Sequence, residues 1–299
     1  MLNARRFTVG LALPATPLLT TPAALTRLAT AAEDLGFDAL FTHDHILPPA
    51  SRPDLAHQLD APTLLAWLAA ATTRIALGTS VLVLPYRRPE ELAKTAGTID
   101  WLSDGRLVLG VGAGWLEEEF RALGVPLGQR GARTDEALAV LRRLWGRTPT
   151  SFGGRWSHFE DVVSRPSGAP MRPDGPPILV GGNSPAARRR AALLGDGWHP
   201  LNLAAADELP AAIVAYRQER RMAAGDEGVV IARHFPGAPH ARPGGRPPFT
   251  GNATQIAGDV ARHAEAGADG LVLSWDDADI DGTLRRWEAF ATATIGALT

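Results

Sequence analysis

Cysteine is absent from the 299 residues, and lysine occurs once, as Lys94. Without cysteine there are no disulfides and no thiolate metal sites. With one lysine, Schiff-base aldolase or pyridoxal chemistry would have to rest on Lys94. That residue falls inside a helical stretch, Glu90–Leu102, away from any strand end, so those chemistries are set aside. No apolar run approaches the roughly 20 residues that a bilayer span demands. The first residues lack the apolar region and small-residue cleavage site of a signal peptide. Neither sign of charge dominates, the net charge being −2. The basic residues are spread along the chain, and no stripe of them marks a nucleic-acid surface. The expectation is a soluble, cytoplasmic protein whose partner is a small molecule, not a nucleic acid or a membrane.

What is present is a regular alternation of short apolar runs and longer amphipathic ones. Strands are predicted at Phe7–Leu13, Ala39–Thr42, Ile75–Thr79, Leu107–Val111, Ile178–Gly181, Gly197–His199, Val229–Arg233 and Gly270–Ser274. Helices are predicted near Ala23–Leu35, Ala61–Ala71, Glu90–Leu102, Thr134–Trp145, Ser184–Leu194, Ala205–Ala224, Ala253–Ala266 and Thr283–Ile295. Eight strands, each followed by a helix, specify an α/β fold: a single (β/α)8 TIM barrel over residues 1–299. Asn183-Ser184-Pro185 supplies a cap followed by proline at the first helical position. Gly36 and Gly267 stand where helices must end and turn into the next strand. Two segments break the rhythm. Thr148–Pro177 opens with a hairpin-like Ser151 to Trp156, and Pro236–Pro248 is a Gly/Pro-rich loop. Both are expected as insertions at the C-terminal face, where barrel active sites lie.

Four strand ends carry candidate chemistry. The second ends Thr42-His43-Asp44-His45, three titratable side chains in a row, read against a plain solvated loop entry. The spacing of His43 and His45 also permits metal ligation. In the third, Gly78-Thr79-Ser80 interrupts an otherwise branched run. That marks a bulge or the close approach of a flat ligand, or else a barrel layer alternating small and large residues. The fourth gives Gly110-Val111-Gly112-Ala113-Gly114-Trp115, whose glycines admit either a ligand or a neighbouring strand. It is not a dinucleotide fingerprint, because Trp115 stands where the third glycine belongs. Glu117 and Glu119 read as the acidic first turn of a helix. The fifth ends Gly181-Gly182-Asn183-Ser184, a helix N-terminus suited to a phosphate or similar anion, against a tight turn with no ligand.

Taken together, the segments around Ala32–His45, Thr73–Val81, Gly105–Trp115, Ile178–Pro185, Ala192–Trp198 and Ala264–Leu273 resemble the luciferase-like monooxygenase superfamily nearly end to end. The resemblance implies a barrel that holds FMN or the deazaflavin coenzyme F420, and Asp44-His45 resembles the F420-dependent branch. It implies hydride transfer between F420 and a small organic substrate (C=C, imine or carbonyl), with His45 handling a proton and Asp44 contacting the cofactor. It also implies a non-proline cis peptide at Ser80–Val81, behind the cofactor ring. Cofactor contacts are expected from Ser80, Val81, Val83, Ala113 and Gly114, with Gly181, Gly182, Asn183 and Ser184 toward the phosphate-bearing tail. Glu118 is expected to reach the cofactor or a substrate proton, and Trp115 and His199 to line the substrate pocket. A homodimer is expected from the resemblance alone. One departure matters: sugar-phosphate dehydrogenases of this branch carry glutamate at the position of Trp115 and asparagine at that of Glu118, which argues against their substrate. The rival readings are an FMN-dependent monooxygenase and a metal-dependent barrel hydrolase using His43 and His45, with help from His199 or Asp276. A barrel that binds cofactor without catalysis is a third. Substrate identity is expected to lie in loops Ile46–Asp60, Phe152–Pro177 and Pro236–Thr250.

Overall fold

The period-two runs of the chain form strands in the order the alternation predicts. The computed structural model describes residues 7–169, 172, 174–206, 208–236, 246–275 and 279–298. Its strands are β1 (Thr8–Ala12), β2 (Ala39–Thr42), β3 (Ala76–Thr79), β4 (Leu82–Val83), β5 (Leu107–Gly112), β6 (Thr150–Gly153), β7 (His158–Val162), β8 (Ile178–Gly181), β9 (Gly197–His199), β10 (Val229–His234) and β11 (Gly270–Leu273). Its helices are α1 (Pro22–Asp34), α2 (Ala61–Ala71), α3 (Pro89–Leu102), α4 (Glu117–Ala122), α5 (Arg130–Trp145), α6 (Pro185–Leu194), α7 (Glu208–Ala224), α8 (Ala253–Glu265) and α9 (Ile280–Leu298). Parallel pairing runs β1–β2–β3–β5–β8–β9–β10–β11 and back to β1. The barrel is therefore closed, with eight staves. The third stave is broken: β3 ends at Thr79, and pairing with β5 resumes in β4 at Leu82, after Ser80 and Val81.

Local chemistry sets the boundaries. Thr21, Asp60 and Ser184 cap α1, α2 and α6 through their side-chain oxygens, each with proline in the first turn, and Asn252 with Gln255 forms a capping box on α8. Helix α5 starts four residues before the expected Thr134, because a 3-10 turn at Leu127–Gln129 runs straight into it. Helix α7 starts three residues after the expected Ala205. The hairpin-like segment is the antiparallel pair β6–β7, and the Glu136 carboxylate accepts the N–H groups of Arg155, Trp156 and Ser157 at its turn. Most of the second predicted loop, residues 237–245, lies outside the described residues, as does Asp276. Among the described residues no helix is long and apolar enough to cross a membrane.

Most of the core lies between strands and helices, while Phe41, Val108, Leu179, Ile231 and Val272 fill the barrel axis. Gly78 leaves room for the Phe41 ring and so belongs to this floor, not to a ligand surface. Above the floor the glycines serve the break in the third stave. A Cβ on Gly110 would run into the carbonyl oxygen of Thr79. Cβ atoms on Gly112 and Gly181 would come within 2.7 and 2.8 Å of the two methyls of Val81. The neighbouring strand, not a ligand, is what these glycines admit. Gly110→Ala is expected to lower the unfolding free energy by about 2–3 kcal/mol, since the clash is with backbone that cannot rotate away. Gly128→Ala, where a Cβ meets open space, should change it by less than about 0.5 kcal/mol. Urea unfolding checks both, and equal losses would contradict the assignment.

Candidate active site

The Ser80–Val81 peptide is cis, as the resemblance implied. The two methyls of Val81 lie over the bare backbones of Gly112 and Gly181. Beneath the peptide, a polar layer replaces the apolar floor. Ser80 Oγ lies 2.7 Å from His199 Nε2, and His199 Nδ1 lies 2.5 Å from the carbonyl oxygen of Ile231. A carbonyl can only accept, so the His199 proton sits on Nδ1 and Nε2 accepts from the Ser80 hydroxyl. Burial, with Arg233 nearby, pushes the His199 pKa down to about 4. His199, expected to line the substrate pocket, has 2% of its surface exposed and supports Ser80 from beneath.

Arg233, at the end of β10, donates to the Ser80 carbonyl oxygen, to His43 Nδ1 at 2.7 Å and to Ser274 Oγ at 3.3 Å. Its guanidinium lies 4.4 Å from the centre of the Phe235 ring. His43 is held neutral well below its ordinary pKa, first by burial and then by the Arg233 charge. A guanidinium on His43 Nδ1 is the wrong neighbour for a metal ion. Among the described residues no three His, Cys, Asp or Glu side chains are grouped to hold one.

Asp44 is fully enclosed by the protein. Its carboxylate accepts the Val83 N–H at 2.9 Å and both Arg87 nitrogens at 2.6 and 2.8 Å. Arg87 also reaches Asp60 at 2.9 Å. Asp44 was expected to contact the cofactor. Its bonds to the Val83 N–H and to Arg87 tie it to β4 after the break. Next to it, His45 Nδ1 lies 2.8 Å from Glu119 Oε2, and Glu119 Oε1 accepts the N–H groups of Ile46 and of Leu47, the latter at 2.9 Å. Trp115 stands edge-on to His45 at 6.3 Å and is 60% exposed. Helix phase decides which glutamate serves: α4 turns Glu119 fully inward and leaves Glu117 and Glu118 exposed. Glu118, expected to reach the cofactor or a substrate proton, lies on the exposed face of α4, while Glu119, expected only in its acidic first turn, is the carboxylate bonded to His45.

The anion candidate is the N-terminus of α6. Ser184 Oγ accepts the Ala187 N–H at 3.2 Å, leaving its hydroxyl hydrogen available. Asn183 uses its side chain otherwise, bonding both the N–H and the C=O of Leu201 at 2.9 and 2.7 Å. Ala113 and Gly114 directly follow β5, and Val83 lies buried beneath the surface. The structure therefore brings Val81, His45, Trp115 and the Gly181–Ser184 turn to the C-terminal rim of one barrel.

The profile of the luciferase-like monooxygenase family matches residues 6–291. The chain belongs to that family. A relative named F420-dependent glucose-6-phosphate dehydrogenase, from Intrasporangium calvum, is 36% identical over 178 residues, which is 56% of this chain and 50% of the relative. The chain thus spans about half the length of the curated relatives it matches. A solved monooxygenase from Streptomyces bottropensis superposes with a TM-score of 0.82 at 21% identity, over 98% of this chain and 100% of that one. A structure named F420-dependent secondary alcohol dehydrogenase, in complex with an F420-acetone adduct, superposes at 0.79 with 19% identity, over 97% of this chain and 98% of that one. These two show that the fold is the family's barrel.

Sequence reasoning missed Arg87 and Arg233, and it read Glu119 only as part of the acidic first turn of α4. Arg233 left a signal, a charged side chain at the inward phase of an apolar strand. Arg87 left none. The neutral His199 generates a pH prediction. Its folded pKa of about 4 lies below the ordinary 6.5. Between those values the unfolded chain binds a proton that the folded chain refuses, so stability rises with pH there and is lost as pH falls from 6.5 toward 4. For one such group this amounts to about 3 kcal/mol. His43 and His263, also pushed down by burial, act in the same direction. In urea unfolding from pH 7 to 4.5, His199→Gln should reduce the slope of stability against pH by about one proton. An unaltered slope would show that His199 is charged in the folded protein.

Proposed function

We propose that this protein is an oxidoreductase that transfers hydride between coenzyme F420 and a small organic substrate containing a C=C, imine or carbonyl group. The carrying observation is His45. One ring nitrogen is tied to a buried carboxylate, and the other has no protein partner among the described residues. It stands on the rim that also carries the Val81 platform. The F420 dependence named for the relatives supports the choice of cofactor. Their sugar-phosphate substrate is not carried over, because Trp115 stands where the glutamate of that branch belongs. A homodimer and a cytoplasmic location belong to this proposal on the resemblance alone.

The residues present fit a flat ring with a phosphate tail. Val81 offers a methyl surface held up by the glycine cradle, and the N-terminus of α6 directs N–H groups and the positive end of its dipole at an anion. Val81, with Ser80 behind it, would hold the ring, while Gly182 and Ser184 would hold the tail. Bound there, the deazaflavin supplies or accepts the hydride. The protein does the rest. Arg233 and His199 keep Ser80 fixed, Asp44 and Arg87 keep β4 in register, Trp115 shields one side of the site from water, and His45 moves the proton.

Titration of the purified protein with oxidised F420 and, separately, with FMN, followed by ring fluorescence, tests the cofactor. Deazaflavin binding at least about tenfold tighter than FMN, a difference of about 1.4 kcal/mol, is expected. The reverse preference would make this an oxygen-using flavin monooxygenase, and binding of neither would remove the reading. His45→Ala should leave the F420 dissociation constant within about threefold and lower kcat by about 10²–10⁴. An unchanged kcat would take the proton role from His45.

A further inference from the structure

We propose that Glu119 is the positioning carboxylate of His45: it fixes the ring as the Nδ1–H tautomer, so that Nε2 is the nitrogen that exchanges a proton with substrate. The catalytic half of this statement rests on the proposed function; the tautomer half stands on the geometry alone.

Glu119 exposes none of its surface, although it lies on a six-residue helix otherwise rich in exposed charge. A buried carboxylate is tolerated only when its oxygens are supplied with donors. Here Oε1 takes two main-chain N–H groups from the loop after β2, at Ile46 and Leu47. Burial, with the Glu119 charge nearby, pushes the Tyr86 phenol pKa upward. The Tyr86 ring packs edge-on against Phe120, 4.9 Å away on the same helix. Oε2 meets His45 Nδ1 at 2.8 Å. An ionised carboxylate only accepts, so the hydrogen in that contact comes from Nδ1.

Tying down the loop would need only Oε1. Oε2 is aimed at a ring whose side chain is 12% exposed and whose other nitrogen has no protein partner among the described residues. The remaining charges around the pair are accounted for on every side. Asp44, the residue before His45, is neutralised by Arg87. Arg52 and Asp54, on the loop after β2, pair with each other at 2.6 Å. His43 is neutral beside Arg233, and Glu118 points outward. Glu119 is thus the only carboxylate bonded to the ring among the described residues. The step assigned to the pair is a proton transfer: the Nε2–H bond forms as the substrate X–H bond breaks, its electron pair stays on the substrate, and the imidazolium charge is balanced by Glu119. The opposite direction reverses each change. This is the orienting role of the carboxylate in hydrolase triads, reached through different elements.

Glu119→Gln separates positioning from support. The two main-chain donors demand oxygen at the Oε1 position, so the new NH2 group must face Nδ1 and force the ring into the Nε2–H tautomer. The experiment is 15N NMR of histidine-labelled protein without cofactor, near pH 8, with His45 assigned by its loss in His45→Asn. The wild type is expected as Nδ1–H and Glu119→Gln as Nε2–H. In turnover with F420, Glu119→Gln should lower kcat by about 10²–10⁴ while KM stays within about threefold. Glu119→Asp, which keeps the acceptor, should restore the Nδ1–H signature. A wild-type ring in the Nε2–H form overturns the proposal even if no variant folds. So does a folded Glu119→Gln with unchanged tautomer or unchanged kcat. If the wild type binds no deazaflavin, the proposed function falls, and the tautomer still decides the role of Glu119.

Discussion

A branched side chain can occupy the mouth of a closed barrel only where the facing strands have given up theirs. Val81 is such a side chain, and Gly112 and Gly181 are the strands' concession. Much of the site depends on this exchange. It breaks the third stave into β3 and β4, and it exposes the Ser80 carbonyl and hydroxyl to the barrel axis. The axis must then be polar at that level, because an unpaired buried carbonyl or hydroxyl costs about 1–3 kcal/mol. Arg233 meets the carbonyl and His199 the hydroxyl. Arg233 in turn settles His43 as a neutral acceptor. One steric constraint propagates into a hydrogen-bonded layer that separates the apolar floor from the working face.

Two buried carboxylates finish the site, and they are used differently. Asp44 meets a fork of two arginine nitrogens and a main-chain N–H, so its charge is spent inside the protein on holding β4. Removing one partner of such a buried pair leaves a stranded charge, at a cost of about 3–5 kcal/mol. Glu119 meets neutral donors on one oxygen and a titratable ring on the other. Its charge remains available to a proton that arrives on His45. On the proposed function, adjacent residues, Asp44 and His45, divide the labour between fixing the backbone and moving a proton.

The barrel was legible because its information is periodic. Strands such as Ala39–Thr42, Ile178–Gly181 and Gly197–His199 fall where the apolar runs lie, and caps such as Ser184-Pro185 are local chemistry. The site was legible only in part. His45, Ser80, Val81 and the Gly181–Ser184 turn were found at strand ends. The partners of those residues were not, because they depend on helix phase and on contacts between distant segments. Three consecutive glutamates look alike until α4 assigns one of them to the interior. His199 reads as a pocket residue until β9 is seen to bury it against Ser80. The glycines of β5 announced close approach without saying what approached.

The central claim is that Val81, on its glycine cradle, is the surface that carries the cofactor ring. Methyl-specific NMR of valine-labelled protein with bound oxidised F420 tests it directly. The account predicts nuclear Overhauser contacts from the Val81 methyls to the ring protons of the deazaflavin, with a ring-current shift of those methyls. F420 that binds without any contact to Val81 would place the ring elsewhere and contradict the account.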